Sequence, residues 1–311
     1  MIASGLTSDV YGFRLEGSAL RGVLAGPLVL RLSLDAWRGS VAEREVAAHQ
    51  FVAARGYRVP AIAAVEATGT VLGQPFMVLA RPPGRQLARR LDTWNVLTAH
   101  RLGTAFADAH VALHRLPVDG WPADTSGTSV ERRLAPYRDW LGQAPDGPAA
   151  FGWLDAHRSV ALPEERSICH NDFHPVNVIA GRDRSLSVID WSSADLGDRH
   201  GDVAHTVVFM RTEPNRERGA RRVRRWLARS VFLRSYLARY HAQLPLDIAR
   251  LRYWEALHAF VLRGVLAALQ SRAVGRRGSA GQNHEQQQAH LARYFLERKG
   301  EVERTNDRSE A

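Results

Sequence analysis

Hydrophobic and polar positions follow two different periods in the first eighty residues of the chain. The run from Leu28 to Leu34 is mostly apolar with one charge, Arg31, inside it, and Phe76 to Ala80 is apolar throughout. Short apolar runs of this kind predict β-strands. Between them, the 3.6-residue spacing of apolar positions from Ser40 to about Arg55 predicts a helix. The first part of the chain is therefore expected to form a small sheet with one helix.

Helical spacing dominates the chain beyond residue 95. Apolar residues recur every three to four positions from Asn95 to Leu116, which predicts a long helix. Three more helices are predicted, around 216–239, 246–269 and 283–298. In contrast, the Gly- and Pro-rich stretch 121–148 predicts a loop. The polar, highly charged tail 301–311 predicts disorder.

Polar residues at fixed spacing lie between Ile168 and Asp202. Asp172 is followed five residues later by Asn177 and, after thirteen more, by Asp190. Apolar runs after Asn177 and before Asp190, separated by a turn sequence, predict a β-hairpin that brings these two side chains together. Asp172 would lie on the loop before the first strand. Two oxygen ligands and a nearby carboxylate suit Mg²⁺ that holds a polyphosphate while a base accepts a hydroxyl proton.

Two other interpretations of this segment stay open. His170, Asp172 and His174 alternate with period two, so on one strand they would point the same way and could bind zinc. Pro175 argues against a regular strand there, and a zinc site would leave the downstream Asn and Asp unexplained. Alternatively, that Asn and Asp are only turn residues, which both types favour because of local hydrogen bonds. This explains either residue but not the set.

The same segment resembles the catalytic segment of the aminoglycoside phosphotransferase and choline kinase family, small-molecule relatives of the protein kinases. His170 to Asn177 matches the family pattern H-G-D-x-H-x-x-N, with Asn171 in place of the usual Gly. Val188 to Trp191 and Gly197 to Ala204 match the two patterns that follow. The resemblance covers about residues 4–270. It implies an α+β, protein-kinase-like bilobal fold with a small antiparallel β-rich N-lobe and a larger helical C-lobe.

The resemblance also implies an activity, the transfer of the γ-phosphoryl group of ATP or GTP to a hydroxyl of a small molecule with Mg²⁺. Asp172 would be the catalytic base or would orient the hydroxyl. His174 would contact the γ-phosphate or hydrogen-bond the catalytic loop. Asn177 and Asp190 would hold the metal ion.

Four further residues of the C-lobe carry polar side chains in predicted helices or beside them. His110 and His114 lie four residues apart on the helix 95–116, and we expect them to be packed core residues or surface residues and not metal ligands. The family resemblance implies that Asp202 ties the catalytic loop to a C-lobe helix. It assigns no definite role to Asp198.

A charged pair is predicted in the N-lobe. Glu45 lies on the largely apolar face of the first helix, and a buried carboxylate needs a partner. Arg31 on the preceding strand is the available cation. The pair resembles the strand-three lysine and helix-C glutamate of kinases, with Arg in place of Lys, and implies that Arg31 neutralises the α and β phosphates. A generic strand-to-helix salt bridge is the alternative.

The remaining nucleotide contacts are expected from two segments. Ser4 to Tyr11 resembles the phosphate loop of the family, and the apolar strand Phe76 to Ala80 leads into a hinge that would hold the purine edge. The expected contact residues are Gly5, Thr7 and Ser8 in the loop, with Val78 and Leu79 before the hinge. Only three residues precede the loop, so we expect the N-lobe to be truncated at its first strand.

The sequence divides into three predicted regions. Residues 1–80 form the nucleotide-binding N-lobe, and residues 81–275 form the C-lobe with the catalytic loop, the metal site and the acceptor site. Residues 276–311 form a linker, a C-terminal helix and the tail.

Composition narrows the class of protein. The chain has 311 residues, of which 45% are hydrophobic, enough for a large core. It has no apolar run of 18 residues and no visible signal peptide, so neither a membrane span nor secretion is expected. The single cysteine, Cys169, excludes an internal disulfide and fits the reducing cytoplasm. It is expected to be a buried hydrophobic residue and not a nucleophile.

The formal net charge is +10, and Lys299 is the only lysine among the cationic residues. Residues 206–277, which in the resembled family help to form the acceptor site, contain 16 Arg against 4 acids. Like charges would repel a polycation, so we expect a neutral acceptor, an anionic one, or one with a single amine. Two alternatives to an enzyme stay open: a pseudokinase-like nucleotide-binding module and an Arg-rich nucleic-acid-binding protein. The sequence makes no prediction of the oligomeric state.

Overall fold

The computed structural model describes most of the chain. The described residues are 3–4, 8–17, 19–33, 40–91, 95–123, 126–142, 144, 146–162, 166–214, 218–273 and 280–309. Two regions follow one another in the chain: a mainly β region up to residue 80 and a mainly helical region after it.

The N-lobe is a five-stranded antiparallel sheet with one helix. Its strands are β1 (Ala3–Ser4), β2 (Ser8–Phe13), β3 (Leu28–Ser33), β4 (Ile62–Glu66) and β5 (Phe76–Ala80), in the order β1-β2-β3-β5-β4. Helix α1 (Ser40–Ala54) follows β3. Helix α1 and β5 match the predicted bounds within a residue, because the apolar runs here are long enough to show their period. Position 31 in β3 is paired with Val10 and Met77, in the middle of the sheet.

The C-lobe is built from helices around two small sheets, one of two strands and one of three. The helices are α2 (Leu87–Leu91), α3 (Val96–His114), α4 (Ser129–Leu134), α5 (Arg138–Leu141), α6 (Gly147–Ala156), α7 (Arg199–Thr212), α8 (Gly219–Gln243), α9 (Ile248–Ala273) and α10 (Ala280–Ser309). The strands are β6 (Arg85–Gln86), β7 (Arg166–Cys169), β8 (Val178–Ala180), β9 (Leu186–Val188) and β10 (Asp195–Asp198). Strand β7 pairs with β10, and β8 pairs with both β6 and β9.

A cluster of fully buried aromatic side chains lies between α3, α8 and the loop after β7. Phe106, Phe173, Phe232 and Tyr236 are all fully buried, and the ring centroids of Phe106 and Phe173 are 4.5 Å apart. Buried aromatic side chains contribute much of the hydrophobic stabilisation of a core. The same packing places the loop after β7 against the helices. Cys169 at the end of β7 is buried, as expected for a hydrophobic role.

Gly84 fixes the connection between the lobes. Its φ is +127°, and a Cβ atom at this position would lie 2.2 Å from the carbonyl oxygen of Ala180. Only glycine fits such a close approach in this backbone conformation. The chain that leaves β5 therefore rests directly on β8 as it enters the C-lobe.

The prediction of a loop over residues 121–148 was wrong. This segment contains α4, α5 and the first residues of α6. Thr128 and Glu131 form a capping box at the start of α4, in which each side chain accepts a hydrogen bond from the other residue's backbone. Helices of four to six residues are too short to show a helical period in the sequence, and so the Gly and Pro content dominated the prediction.

The prediction of a disordered tail was also wrong, because α10 continues to Ser309. Glu301 in this helix pairs with Arg252 of α9 and with Arg298, each at 2.7 Å. These ion pairs join α10 to α9 and explain why a highly charged segment is ordered. The predicted connector before α10 lies outside the described residues up to position 279. None of the helices in the described residues combines the length and apolar character that a membrane span requires.

Candidate active site

The predicted hairpin is present and brings Asn177 beside Asp190. Strands β8 and β9 pair with Val178 opposite Val188, and the amide of Ile189 donates to the carbonyl of Asn177 at 3.0 Å. Asp190 follows directly with a φ of +67°, a left-handed conformation that Asp tolerates better than most residues. The backbone therefore leaves β9 through a sharp turn that holds the Asp190 carboxylate near the end of the hairpin.

Asp172 lies on the loop before this hairpin and is held by two side chains of that loop. The amide Nδ2 of Asn177 donates to Oδ2 of Asp172 at 2.8 Å, and to its backbone carbonyl at 3.0 Å. Nε2 of His174 is 3.1 Å from Oδ1 of Asp172. The Asp172 side chain remains 35% exposed. The structure thus joins Asp172, His174 and Asn177 in one group that is open to a ligand.

The pKa of Asp172 is lowered from its ordinary value. Burial acts in the opposite direction and is the largest single influence, but the charge and hydrogen bond of His174, with the charges of His205 and His170, outweigh it. Asp172 is therefore ionised throughout the neutral range. A carboxylate of this kind is a weak base, which suits a group that orients a hydroxyl and accepts its proton late.

His205 is a site residue that the sequence analysis missed. Its Nε2 lies 3.7 Å from Oδ1 of Asp172, and its Nδ1 has no hydrogen-bond partner. Burial, partly offset by the charge of Asp172, lowers the pKa of His205 to about 4, so the ring is neutral at neutral pH. It lies on α7 one helical turn after Asp202, and its approach to Asp172 depends on the packing of α7, for which the sequence carries no local signal.

The catalytic loop is anchored by Asp202, as the family resemblance implies. Oδ2 of Asp202 accepts from the amide of His170 at 2.6 Å, and Oδ1 accepts from the amide of Asn171 at 2.8 Å. Asn171 has a φ of +60°. This left-handed conformation explains why Gly is usual in the family at this position and why Asn is an acceptable replacement.

His110 and His114 complete the anchor from α3. Nε2 of each ring is within 3.2 Å of Oδ2 of Asp202, and each Nδ1 contacts a tyrosine hydroxyl of α8, at Tyr236 and Tyr240 respectively. Among the described residues these two histidines and Asp202 are the one set placed closely enough to bind a metal ion. Both histidine rings are packed and hydrogen-bonded at both nitrogens, as expected for structural residues. No such set forms from His170, Asp172 and His174, the zinc alternative.

Asp198 has a structural role that the sequence left open. It is the N-cap of α7, where its Oδ1 accepts from the backbone amide of His200 at 2.9 Å and also contacts the ring of that residue. Its Oδ2 accepts from the indole of Trp254 on α9 at 3.1 Å. The carboxylate is buried and fully engaged, so it braces α7 against α9.

Arg31 connects the N-lobe to the end of the hairpin. Its guanidinium donates to the Glu45 carboxylate, as the sequence predicts, and its Nη2 lies 2.8 Å from Oδ1 of Asp190. Its Nε donates to the hydroxyl of Ser8 at 2.8 Å. The exposed fraction of the Arg31 side chain is 11%. One cation therefore contacts β2, α1 and the predicted metal ligand.

The other predicted nucleotide contacts are only partly described. Gly5 and Thr7 lie outside the described residues. Val78 and Leu79 both lie within β5, which is paired with β3 on one side and β4 on the other. Their backbone groups therefore take part in the sheet, and a contact with a purine would use the chain that follows β5. The role of these four residues stays a prediction.

A groove of about 760 Å³ lies between the end of α7, α8 and α10. Its charged lining residues are Arg211, Glu213, Arg222, Arg229, Arg234 and Arg293. Trp226, which is 64% exposed, lies on its wall. The groove is in the region that the sequence analysis associated with the acceptor, and its lining carries the same excess of arginine.

Comparison with known proteins gives one family and one fold. A family model described as a phosphotransferase enzyme family matches residues 2–234. Similar solved structures include an amicoumacin kinase in complex with AMP-PNP, Ca²⁺ and Ami, which is 15% identical with a TM-score of 0.65 and covers 97% of this chain and 88% of that chain.

Two further structures have the same fold. The aminoglycoside phosphotransferase APH(4)-Ia is 18% identical with a TM-score of 0.64, and the alignment covers 95% of this chain and 92% of that chain. A choline/ethanolamine kinase family protein from Mesorhizobium loti is 16% identical with a TM-score of 0.60, covering 96% and 90%. At these identities the likeness shows the fold, and it confirms the predicted bilobal architecture.

Proposed function

Because this chain belongs to the phosphotransferase enzyme family and is a small-molecule kinase, we propose that it transfers the γ-phosphoryl group of ATP or GTP to a hydroxyl of a small molecule, with Mg²⁺, in the cytoplasm. The observation that carries the proposal is the joint placement of Asp172, Asn177 and Asp190, with Arg31 in contact with the last of them. Positioning and electrostatic stabilisation are the main requirements of phosphoryl transfer, and these residues supply both.

The residues present fit a magnesium ion. The Asn177 amide nitrogen donates to the backbone carbonyl and the carboxylate of Asp172 and also contacts Nε2 of His174, which leaves the amide oxygen for a cation. Asp190 uses Oδ1 to accept from Arg31 and from the hydroxyl of Ser192, which leaves Oδ2. Amide and carboxylate oxygens are the ligands that Mg²⁺ prefers. When bound, the ion would neutralise charge on the phosphates of the nucleotide.

The chain's own residues supply the remaining functions. Asp172 accepts a hydrogen bond from the acceptor hydroxyl and takes its proton as the phosphoryl group moves. His174 holds Oδ1 of Asp172, and its ring stacks on Phe209 at a centroid distance of 4.0 Å, which fixes the direction of the carboxylate. Arg31 offers its charge to the nucleotide phosphates. The Asp202 hydrogen bonds hold the loop that carries Asp172.

The acceptor is expected to be neutral, to be anionic, or to carry a single amine. The groove between α7, α8 and α10 supports this expectation, since its lining has five arginines and one glutamate. A polycationic acceptor such as kanamycin would meet charges of its own sign there.

A turnover screen tests the proposal. ATP and GTP consumption is measured with Mg²⁺ against a panel of aminoglycosides, macrolides, amino alcohols, sugars and hydroxy acids, with Asp172→Asn as the inactive control. Phosphorylated product that depends on Asp172 would confirm the function. Nucleotide binding with no turnover of any acceptor would favour the pseudokinase alternative instead. A steep salt dependence of DNA or RNA affinity would favour the nucleic-acid alternative.

A further inference from the structure

Arg133, in the last turn of α4, contacts the catalytic loop directly. Its Nη2 donates to the backbone carbonyl of Asn171 at 3.1 Å, one residue before Asp172. The side chain is half-buried, and its Nε has no hydrogen-bond partner. Among the residues that the structure describes, no carboxylate lies within 4.0 Å of the Arg133 guanidinium.

The acidic groups around the catalytic loop are engaged elsewhere. Asp172, Asp190, Asp195, Asp198 and Asp202 each have other hydrogen-bond or ion-pair partners. Arg132, the neighbour of Arg133 on α4, takes Asp195 at 2.7 Å. The described residues therefore leave the charge of Arg133 without a compensating carboxylate. Partial burial of a cation without a partner of opposite charge costs free energy, and an anionic ligand would offset this cost.

The charge of Arg133 acts on residues of α7 and α9. Its charge contributes to lowering the pKa of His205 on α7 and of His258 on α9, although burial is the larger cause for both. His205 itself faces Asp172. The other cation of the site, Arg31, contacts Asp190 at the nucleotide side. The two arginines therefore contact different parts of the site.

We propose that Arg133 binds an oxyanion group, a carboxylate or a phosphate, of the acceptor whose hydroxyl Asp172 orients. The inference rests on the proposed phosphotransfer and adds the chemical class of the substrate, a hydroxy compound that carries an anionic group. The planar fork of a guanidinium matches the geometry of carboxylate and phosphate oxygens. The arginine-lined groove described above has the same sign and would attract such a substrate.

Inorganic sulfate tests the anion site without any turnover. Mg²⁺ and AMP-PNP are kept saturating, so that the phosphate sites of the nucleotide are filled. At matched ionic strength, sulfate should raise the Tm of the unaltered chain more than that of Arg133→Gln, which removes the guanidinium group and its charge. Arg101→Gln, which removes an exposed charge from α3, is the matched control and should behave like the unaltered chain. Equal shifts in all three would overturn the inference.

Pairs of acceptors that differ in one anionic group test the substrate class, and the comparison can be made with the unaltered chain. Hydroxy acids and sugar phosphates are compared with the methyl ester or the unphosphorylated sugar of the same skeleton. We expect kcat/KM to favour the anionic member by about tenfold or more, since a charge-assisted bidentate contact is lost in the neutral one. In Arg133→Gln this preference should shrink, and Arg133→Lys should restore part of it. A role in bracing the loop alone would lower both rates and leave the preference unchanged.

The outcomes separate the two proposals. Preferred turnover of neutral or polycationic acceptors, with no effect of Arg133→Gln on the preference, would overturn the anion site and leave the phosphotransfer standing. The sulfate series is repeated without AMP-PNP, and a shift that depends on Arg133 only in its absence would assign Arg133 to the nucleotide and also overturn the anion site. Sulfate binding at Arg133 with no turnover of any acceptor would contradict the proposed function instead.

Discussion

Nη2 of Arg31 lies 2.8 Å from Oδ1 of Asp190 and joins two residues that are 159 positions apart. The same guanidinium contacts Glu45 on α1 and Ser8 on β2. One side chain thus sets the position of a helix and a strand of the N-lobe relative to the predicted metal ligand. This geometry needs a planar, three-sided donor, which a lysine does not provide.

We therefore expect Arg31→Lys to raise the KM for ATP or GTP by about tenfold while kcat falls less, because an ammonium group cannot contact all three partners at once. Steady-state kinetics with nucleotide varied would measure both values. Arg14→Lys, at an exposed position just beyond β2, is the control and should leave both unchanged. An unchanged KM in Arg31→Lys would show that Arg31 does not serve the nucleotide.

Asp172→Asn should lower kcat by roughly 10²–10⁴, the usual loss when a catalytic base is removed. Because Asn keeps the shape of the side chain, the affinity for nucleotide should stay within about twofold of the original, a small change on this scale. Single-turnover transfer and nucleotide titration would measure the two effects. Asp108→Asn, an exposed change on α3, is the matched control. A normal kcat in Asp172→Asn would exclude the proposed mechanism.

Asp190→Asn should increase the Mg²⁺ concentration needed for half-maximal turnover, by about tenfold or more, because a neutral amide binds a hard cation more weakly than a carboxylate does. A magnesium titration at saturating nucleotide measures this directly. Asp183→Asn, in the exposed turn of the same hairpin, changes the charge nearby without touching the predicted ligands. If the two variants need the same Mg²⁺ concentration, Asp190 is not a ligand.

Acid should destabilise the fold through the buried histidines. Burial, with a smaller effect of the neighbouring His114, lowers the pKa of His110 from 6.5 to about 4. Between these values the unfolded chain binds a proton that the folded chain does not. The stability supplied by the neutral ring is therefore complete above about pH 6.5 and is lost as the pH falls towards 4. The slope for one such group is about 1.4 kcal/mol per pH unit.

Denaturant unfolding at a series of pH values would measure this slope. In His110→Gln the amide can still donate to Asp202 but does not titrate, so the slope between pH 6.5 and 4 should become shallower by roughly the contribution of one group. The exposed Gln50 on α1 provides the control, since its replacement by Ala removes no titratable group and should leave the slope as it was. Equal slopes in the unaltered chain and His110→Gln would contradict the assignment.

The sequence was sufficient for the parts of the site that neighbouring residues determine. The hairpin that places Asn177 beside Asp190 follows from two apolar runs and a turn between them. The pairing of Arg31 with Glu45 follows from a carboxylate on an apolar helix face. Both inferences use short stretches of chain in which the period of the side chains fixes their direction.

The rest of the site depends on tertiary packing that no local pattern encodes. His205 and Arg133 approach the catalytic loop only because α7 and α4 pack there. The Asp202 carboxylate has four hydrogen-bond partners, and one of them, His110, lies 92 positions away in the sequence. The short helices between 128 and 156 and the order of α10 were missed for the same reason, since a capping box and ion pairs to α9 stabilise them.

The contact of Gly84 with Ala180 has a consequence for how the two lobes move. At Gly84 the chain after β5 and the end of β8 approach each other through backbone atoms, and a change of side-chain rotamer cannot loosen this contact. If the lobes rotate, we therefore expect this part of the hinge and the hairpin that carries Asn177 to move together. The purine end and the metal end of a nucleotide would then keep a constant separation during closure, and the Arg31 contact would be the one that opens and closes.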